Sequence, residues 1–242
     1  MNKKTILGAA ACAVLAILTA FPAPSFGQED ERGFDSSKIP STAEAIEGFV
    51  PEGWTLEEKV TGDVNGDGVA DHLLKLIDSK PGVADEGEMT AGNRVLIIVF
   101  ADKGGNLRRA AVAPSVLQCA SCGGAFYGAG NAPANVSIKN GVIIVEQDYG
   151  SRWVSEMTFR FRYDAQPEKF ILIGFDYTSR ARAEGNITSE STNYLTGKRI
   201  TSVSKVGRKA VSTTTNVAKD RMSIEEVDRD KFDEDANVRL GL

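Results

Sequence analysis

The chain has 242 residues, 33 acidic against 28 basic side chains and a net charge of −5. That balance, with no basic stripe, argues against a nucleic-acid partner. Three cysteines and one histidine leave too few soft ligands for zinc, since Cys119, Cys122 and the distant His72 do not complete a tetrahedron.

The N-terminus has the form of an export signal. Lys3 and Lys4 precede an apolar run from Ile6 to Phe21, and Ser25 and Gly27 supply the small residues of a cleavage site. The run is short for a stable membrane span. Residues 1–27 are therefore expected to be removed, leaving a mature chain without a transmembrane segment, in the periplasm or outside the cell. Cys12 falls within the discarded run; a lipid anchor there is the minor alternative. Residues 28–40 are polar and read as a flexible lead-in. Ser41 and Glu44 have capping-box spacing, which predicts a short helix through Ala45 and Ile46 ending near Gly48.

Two predicted strands, Trp54 to Val60 and His72 to Ile77, flank an acidic loop in which Asp63, Asn65, Asp67 and Asp71 recur around Gly68. Calcium takes six to eight oxygens at roughly 2.3–2.6 Å, and oxygen-bearing side chains at alternate positions can point into one concavity where a glycine lets the backbone turn. The Val69 carbonyl can join them. Asp, Asn and Gly are also ordinary turn formers, but three carboxylates roughly 5 Å apart repel by about 3 kcal/mol per pair at an effective dielectric near 20. A cation relieves that repulsion. The twelfth position counted from Asp63 is Leu74, so the bidentate glutamate of an EF-hand is missing, and weak affinity suited to extracellular calcium is expected.

Asp78 to Asn93 reads as a loop rich in Gly, Glu and Asp. Arg94 to Phe100 is continuously apolar after its first residue, as a strand buried on both faces should be, and turns at 102–106 into Leu107 to Val112. Asn140-Gly141 between Val136 to Lys139 and Val142 to Val145 is a type I′ hairpin signal. Met157 to Tyr163 alternates apolar and polar, with Phe170 to Tyr177 as its partner. Further short strands follow around Thr196-Gly197 and Gly207. The predicted fold is mainly β: an antiparallel meander in one domain over residues 41–216, with one short N-terminal helix and a calcium-type hairpin loop. Acids cluster in residues 217–242, which read as a disordered or weakly helical tail.

The loop resembles the DxNxDGxxD connections of FG-GAP-type repeats, where calcium occupies a β-hairpin turn. Together with FVPEGW, RVLIIVFADKGG, CASCGGAFYG, VSIKNGVIIVEQDYG, FRFRY, FILIGFDYTS and STNYLTGKR, it resembles an uncharacterised family of exported bacterial proteins and lipoproteins that pair such a loop with a Cys-x-x-Cys-Gly-Gly segment and a terminal meander. The resemblance spans Phe49 to Arg199 and implies a fold and a compartment but no activity.

Cys119 and Cys122 have redox-motif spacing, yet the glycines after them are poor helix material, and a low-pKa thiol needs a helix N-terminus. Residues i and i+3 of a turn are within disulfide reach, so a structural bridge is expected. Glu146 and Asp148 share a strand face and could act as a hydrolase pair. His72 is the one available base for a nucleophilic triad, and its position beside the loop favours a flanking role. Tyr149, Trp153 and Tyr177 could stack on a sugar, though aromatics on strands are more often core. The expected function is that of an exported, non-catalytic, calcium-binding β protein that binds an envelope or extracellular protein or glycan. The alternative is an exported enzyme, either a thiol-disulfide oxidoreductase or a carbohydrate hydrolase.

Overall fold

The computed structural model describes residues 34–79, 82–83, 89–90, 92–128, 130 and 132–242. The predicted export signal, Cys12 and residues 28–33 lie outside them. In chain order the strands are β1 (Thr42–Ala43), β2 (Trp54–Gly62), β3 (Asp71–Asp78), β4 (Gly82–Val83), β5 (Met89–Thr90), β6 (Arg94–Ala101), β7 (Leu107–Ala113), β8 (Ala134–Lys139), β9 (Val142–Gly150), β10 (Trp153–Asp164), β11 (Lys169–Ala181), β12 (Ile187–Asn193), β13 (Lys198–Ser204) and β14 (Val211–Asn216). A helix, α1 (Arg229–Leu240), closes the chain. The mainly β fold expected from sequence is present.

A five-stranded antiparallel sheet has the order β1-β7-β6-β3-β2, and a seven-stranded one runs β14 through β8 as an uninterrupted meander. In the segment read as a loop before Arg94, β4 and β5 pair as a short ribbon, Gly82 opposite Thr90. Asn140 (φ 53) and Gly141 (φ 73) both take the positive φ that a type I′ turn needs.

The sheets share a core. Leu73, Leu96, Ile98 and Phe100 from the first meet Val145, Phe159, Phe161 and Phe175 from the second. Each such side chain contributes roughly 1.5–3 kcal/mol on leaving water. The seven-stranded sheet keeps its other face wet, so β10 alternates buried Met157, Phe159 and Phe161 with Thr158 and Arg160. The five-stranded sheet is covered on both sides. Leu74, Leu76, Val95, Ile97 and Val99 form a second core with Phe34, Ile39 and Phe49, which explains the continuous apolar runs of β3 and β6.

Three expectations about the ends of the chain need correction. Residues 34–40 are not a flexible lead-in, because Phe34 (1% exposed) and Ile39 (2%) plug the outer face of that sheet, and Phe34 meets Trp54 edge-on at 4.9 Å. The expected short N-terminal helix is present as a 3-10 turn, Ile46–Phe49, but it starts later than Ser41, because Thr42 and Ala43 pair with β7 as β1. Pairing with β7 satisfies the backbone at Thr42 and Ala43 that a helix would have claimed. Finally, residues 217–242 do not form a detached tail. Glu226 accepts from both the N–H and the hydroxyl of Ser223, at 2.7 Å each, Asp228 caps α1 by accepting from Asp230 and Lys231, and Ile224, Val227 and Ala236 are buried. Phe232 meets Phe159 at 5.3 Å and Phe175 at 5.0 Å. The domain therefore extends through α1.

Phe232→Ala is expected to destabilise the protein by about 2–4 kcal/mol in urea unfolding, whereas Val238→Ala, at a 76% exposed position, should change it by less than about 0.5 kcal/mol. A tail detached from the fold would make both silent. The Ser223 hydrogen bonds hold the Glu226 carboxyl below its ordinary 4.5, so their stabilisation is present above that value and is lost as pH falls through the lower folded one. Amide exchange in 224–240, corrected for intrinsic rate, should accelerate in that window.

Candidate functional site

β2 and β3 pair up to Gly62 opposite Asp71, leaving 63–70 as their connection. Gly66 (φ 83) and Gly68 (φ 82) turn the chain through a region closed to most side chains. Val64, 3% exposed, pins the loop to the main core. The polar side chains fold inward on the loop backbone. Asp63 accepts from the N–H of Gly66 at 2.7 Å and of Gly68 at 2.9 Å. Asn65 accepts from the N–H of Asp67 at 2.9 Å and donates to the Asp67 carboxylate at 3.1 Å. Asp67 accepts in turn from the N–H of Val69 at 2.7 Å. These bonds hold the Asp63 carboxyl below its ordinary value.

Asp71 is placed differently. Its side chain is buried, one oxygen accepting from the N–H of Val64 at 3.0 Å and the other from the N–H of Ala101 at 3.1 Å. The carboxylate thus ties the loop to the far end of β6. Burial pushes its pKa up against those two bonds, and the nearby charges of Asp67 and Asp63 push it further. A raised folded pKa means that the ionised form is disfavoured by folding, so this contribution is greatest below the ordinary 3.8 and declines as pH rises through the folded value.

The donor set suits a hard divalent cation in chemistry: Asp63, Asn65 and Asp67 at alternate positions, the Val69 carbonyl, and Asp71 beneath. Each carboxylate oxygen that accepts one N–H keeps a further lone pair, so the loop hydrogen bonds and metal ligation are compatible. In the folded geometry, however, no group of three or more His, Cys, Asp or Glu side chains among the described residues converges tightly enough to hold a metal ion.

The other candidates are dispersed. The sulfurs of Cys119 and Cys122 lie 2.00 Å apart across a turn in which the N–H of Cys122 donates to the carbonyl of Cys119. No helix follows. Gly124 instead packs so closely on β9 that a Cβ there would lie 2.8 Å from the Gly150 carbonyl. Glu146 and Asp148 share a face of β9, but Glu146 is exposed while Asp148 accepts from the Tyr127 hydroxyl at 2.5 Å, which pushes that phenol up to about 12. His72 lies 3.3 Å from the Thr61 hydroxyl, its pKa lowered by burial and then by Lys59. The three aromatics form no stacking platform: Tyr177 is buried, Tyr149 donates to Asp233, and Trp153 is half-exposed.

Sequence reasoning passed over a charge cluster built on two buried cations, Lys75 and Arg94. A β-bulge leaves Glu57 outside the β2 ladder, and its carboxylate takes two bonds of 2.7 Å from Arg94. Lys75 reaches Glu58 at 2.7 Å and the Ala134 carbonyl at 3.0 Å, joining both sheets. The available signal was a lysine inside the apolar run of β3. No protein-family model, curated protein or solved structure matches this chain.

Asp71→Ala should cost about 2–4 kcal/mol, because two largely buried N–H groups lose their acceptor. Glu146→Ala, on the wet face, should be nearly neutral; urea midpoints distinguish the two. Replacing Cys119 and Cys122 by serine should lower stability by about 2 kcal/mol on the chain-entropy estimate for so short a loop.

Proposed function

We propose that the chain is an exported, non-catalytic β protein whose 63–71 loop takes up calcium, and which binds an envelope or extracellular protein or glycan. The reading rests chiefly on the oxygen-bearing side chains of Asp63, Asn65 and Asp67 gathered in one hairpin connection over the buried carboxylate of Asp71. Bound calcium would supply positive charge that offsets the mutual repulsion of these groups. Asp63, Asn65, Asp67, the Val69 carbonyl and Asp71 would hold it. The non-catalytic part draws on the engagement of the candidate chemical groups elsewhere: His72 with Thr61, Asp148 with Tyr127, and the two cysteines with each other.

The test is thermal unfolding of the purified protein in chelator and in millimolar calcium. With calcium about tenfold above its dissociation constant, stability should rise by about 1.4 kcal/mol, and Tm by roughly 3–6 °C for a domain of this size. Asp63→Asn combined with Asp67→Asn should abolish the shift while leaving the fold in place. Identical melting in chelator and calcium would overturn the metal reading.

A further inference from the structure

The seven-stranded sheet ends at β14, and all six residues of that strand are exposed, on both faces. A sheet edge carries unpaired backbone donors and acceptors, and proteins usually blunt it by shortness, charge or proline. The other edges of the two large sheets are blunted or shielded. β1 is two residues long, β2 carries Glu57, Glu58 and Lys59, and β8 ends in Lys139 and lies against β2. β14, with the sequence VSTTTN, has no charge, no proline and no glycine. Four of its six residues, Val211, Thr213, Thr214 and Thr215, are β-branched and favour strands.

The surroundings of this edge are unlike the rest of the molecule. From Ser191 to Lys219 there is no aspartate or glutamate, while Lys198, Arg199, Lys205, Arg208, Lys209 and Lys219 all fall there, in a chain of net charge −5. Arg199 faces the buried Glu190 at 3.7 Å; the other five are exposed. Arg208 and Lys209 stand just before β14 and Lys219 just after it. Val211 (68% exposed), and Val203 opposite it on β13, leave apolar surface open beside the edge.

These features discriminate between occupants. A second copy paired antiparallel through the middle of β14 would bring Arg208 and Lys209 of one chain toward Lys219 of the other, and parallel pairing would set Arg208 and Lys209 beside their equals. Like charges disfavour both arrangements. We propose that β14 is a docking edge for an extended segment of another protein, one with β-branched residues at its centre and aspartate or glutamate at its ends. Main-chain hydrogen bonds to β14 would give affinity, and the flanking cations would select acidic ends. This deepens the binding reading above by naming a partner class, and it does not depend on the calcium loop.

The test uses the full protein with synthetic peptides of alternating Thr and Val. One peptide has glutamates at both ends, one has lysines, and one is the glutamate peptide N-methylated at every central residue, so that neither of its edges can donate to β14. The glutamate peptide should shift the amide resonances of Val211 to Asn216 and slow their exchange, in chelator as in calcium, with affinity falling as salt rises. Arg208→Glu with Lys209→Glu should weaken it about tenfold. The lysine and N-methylated peptides should not bind. Equal binding of the N-methylated peptide would mean adsorption of an anion rather than strand pairing and would overturn the proposal. So would a lysine peptide that binds as well, β14 protection that grows with protein concentration alone, or the absence of any response. Peptide binding that persists where calcium has no effect would separate the fate of this edge from that of the metal reading.

Discussion

A buried carboxylate holds the β2–β3 hairpin end of this molecule together. Asp71 starts β3, caps the connection from β2 through the N–H of Val64, and reaches the end of β6 through the N–H of Ala101. Removing a carboxylate from water is costly unless its oxygens find donors, and here both do. The loop above it is therefore more than a linker. Its reversal at Gly66 and Gly68 and its inward side-chain bonds are built on a fixed base, with Val64 in the core below.

The same logic of paying burial with partners recurs where the sheets meet. The five-stranded sheet is sandwiched, so its central strands β3 and β6 are largely apolar on both sides, and the two buried cations in them arrive with their partners: Arg94 with Glu57, Lys75 with Glu58. At the opposite side of the core α1 is polar along most of its length. It is fastened by Phe232 and by polar links to the sheet, where Tyr177 donates to Asn237 and Arg239 meets the buried Glu190. Among the described residues, packing and polar latches leave β14 as the one long edge of the large sheets with neither cover nor charge of its own.

Local signals carried much of the fold. The alternation of β10, the unbroken apolar β6, the Asn140-Gly141 turn and the acidic hairpin loop are properties of short windows, and short windows suffice to read them. The ends of the chain were misread because their anchors are sparse and distant. Phe34 and Ile39 are isolated apolar residues in a polar stretch, and only the uncovered face of the five-stranded sheet gives them a place. The capping-box spacing at Ser41 does not itself start a helix, whereas the same spacing at Ser223 and Glu226 is followed by buried Val227 and by α1. What separates the two is tertiary contact, which a window of four residues does not contain. Within the candidate site, the alternating donors were legible in sequence. The role of Asp71 as a buried tie to β6 was not, since Ala101 lies thirty residues away.

The central proposal is that the loop and the Asp71 carboxylate beneath it form a responsive cation site held on the fixed strands β3 and β6. An amide-resolved calcium titration examines it directly. The account predicts that the N–H resonances of Gly66, Gly68 and Val69, and those of Val64 and Ala101 bonded to the Asp71 carboxylate, move as calcium reaches millimolar concentration, while those of Leu96 and Ile97 in the middle of β6 hold still. Loop resonances that stay in place throughout the titration would contradict it.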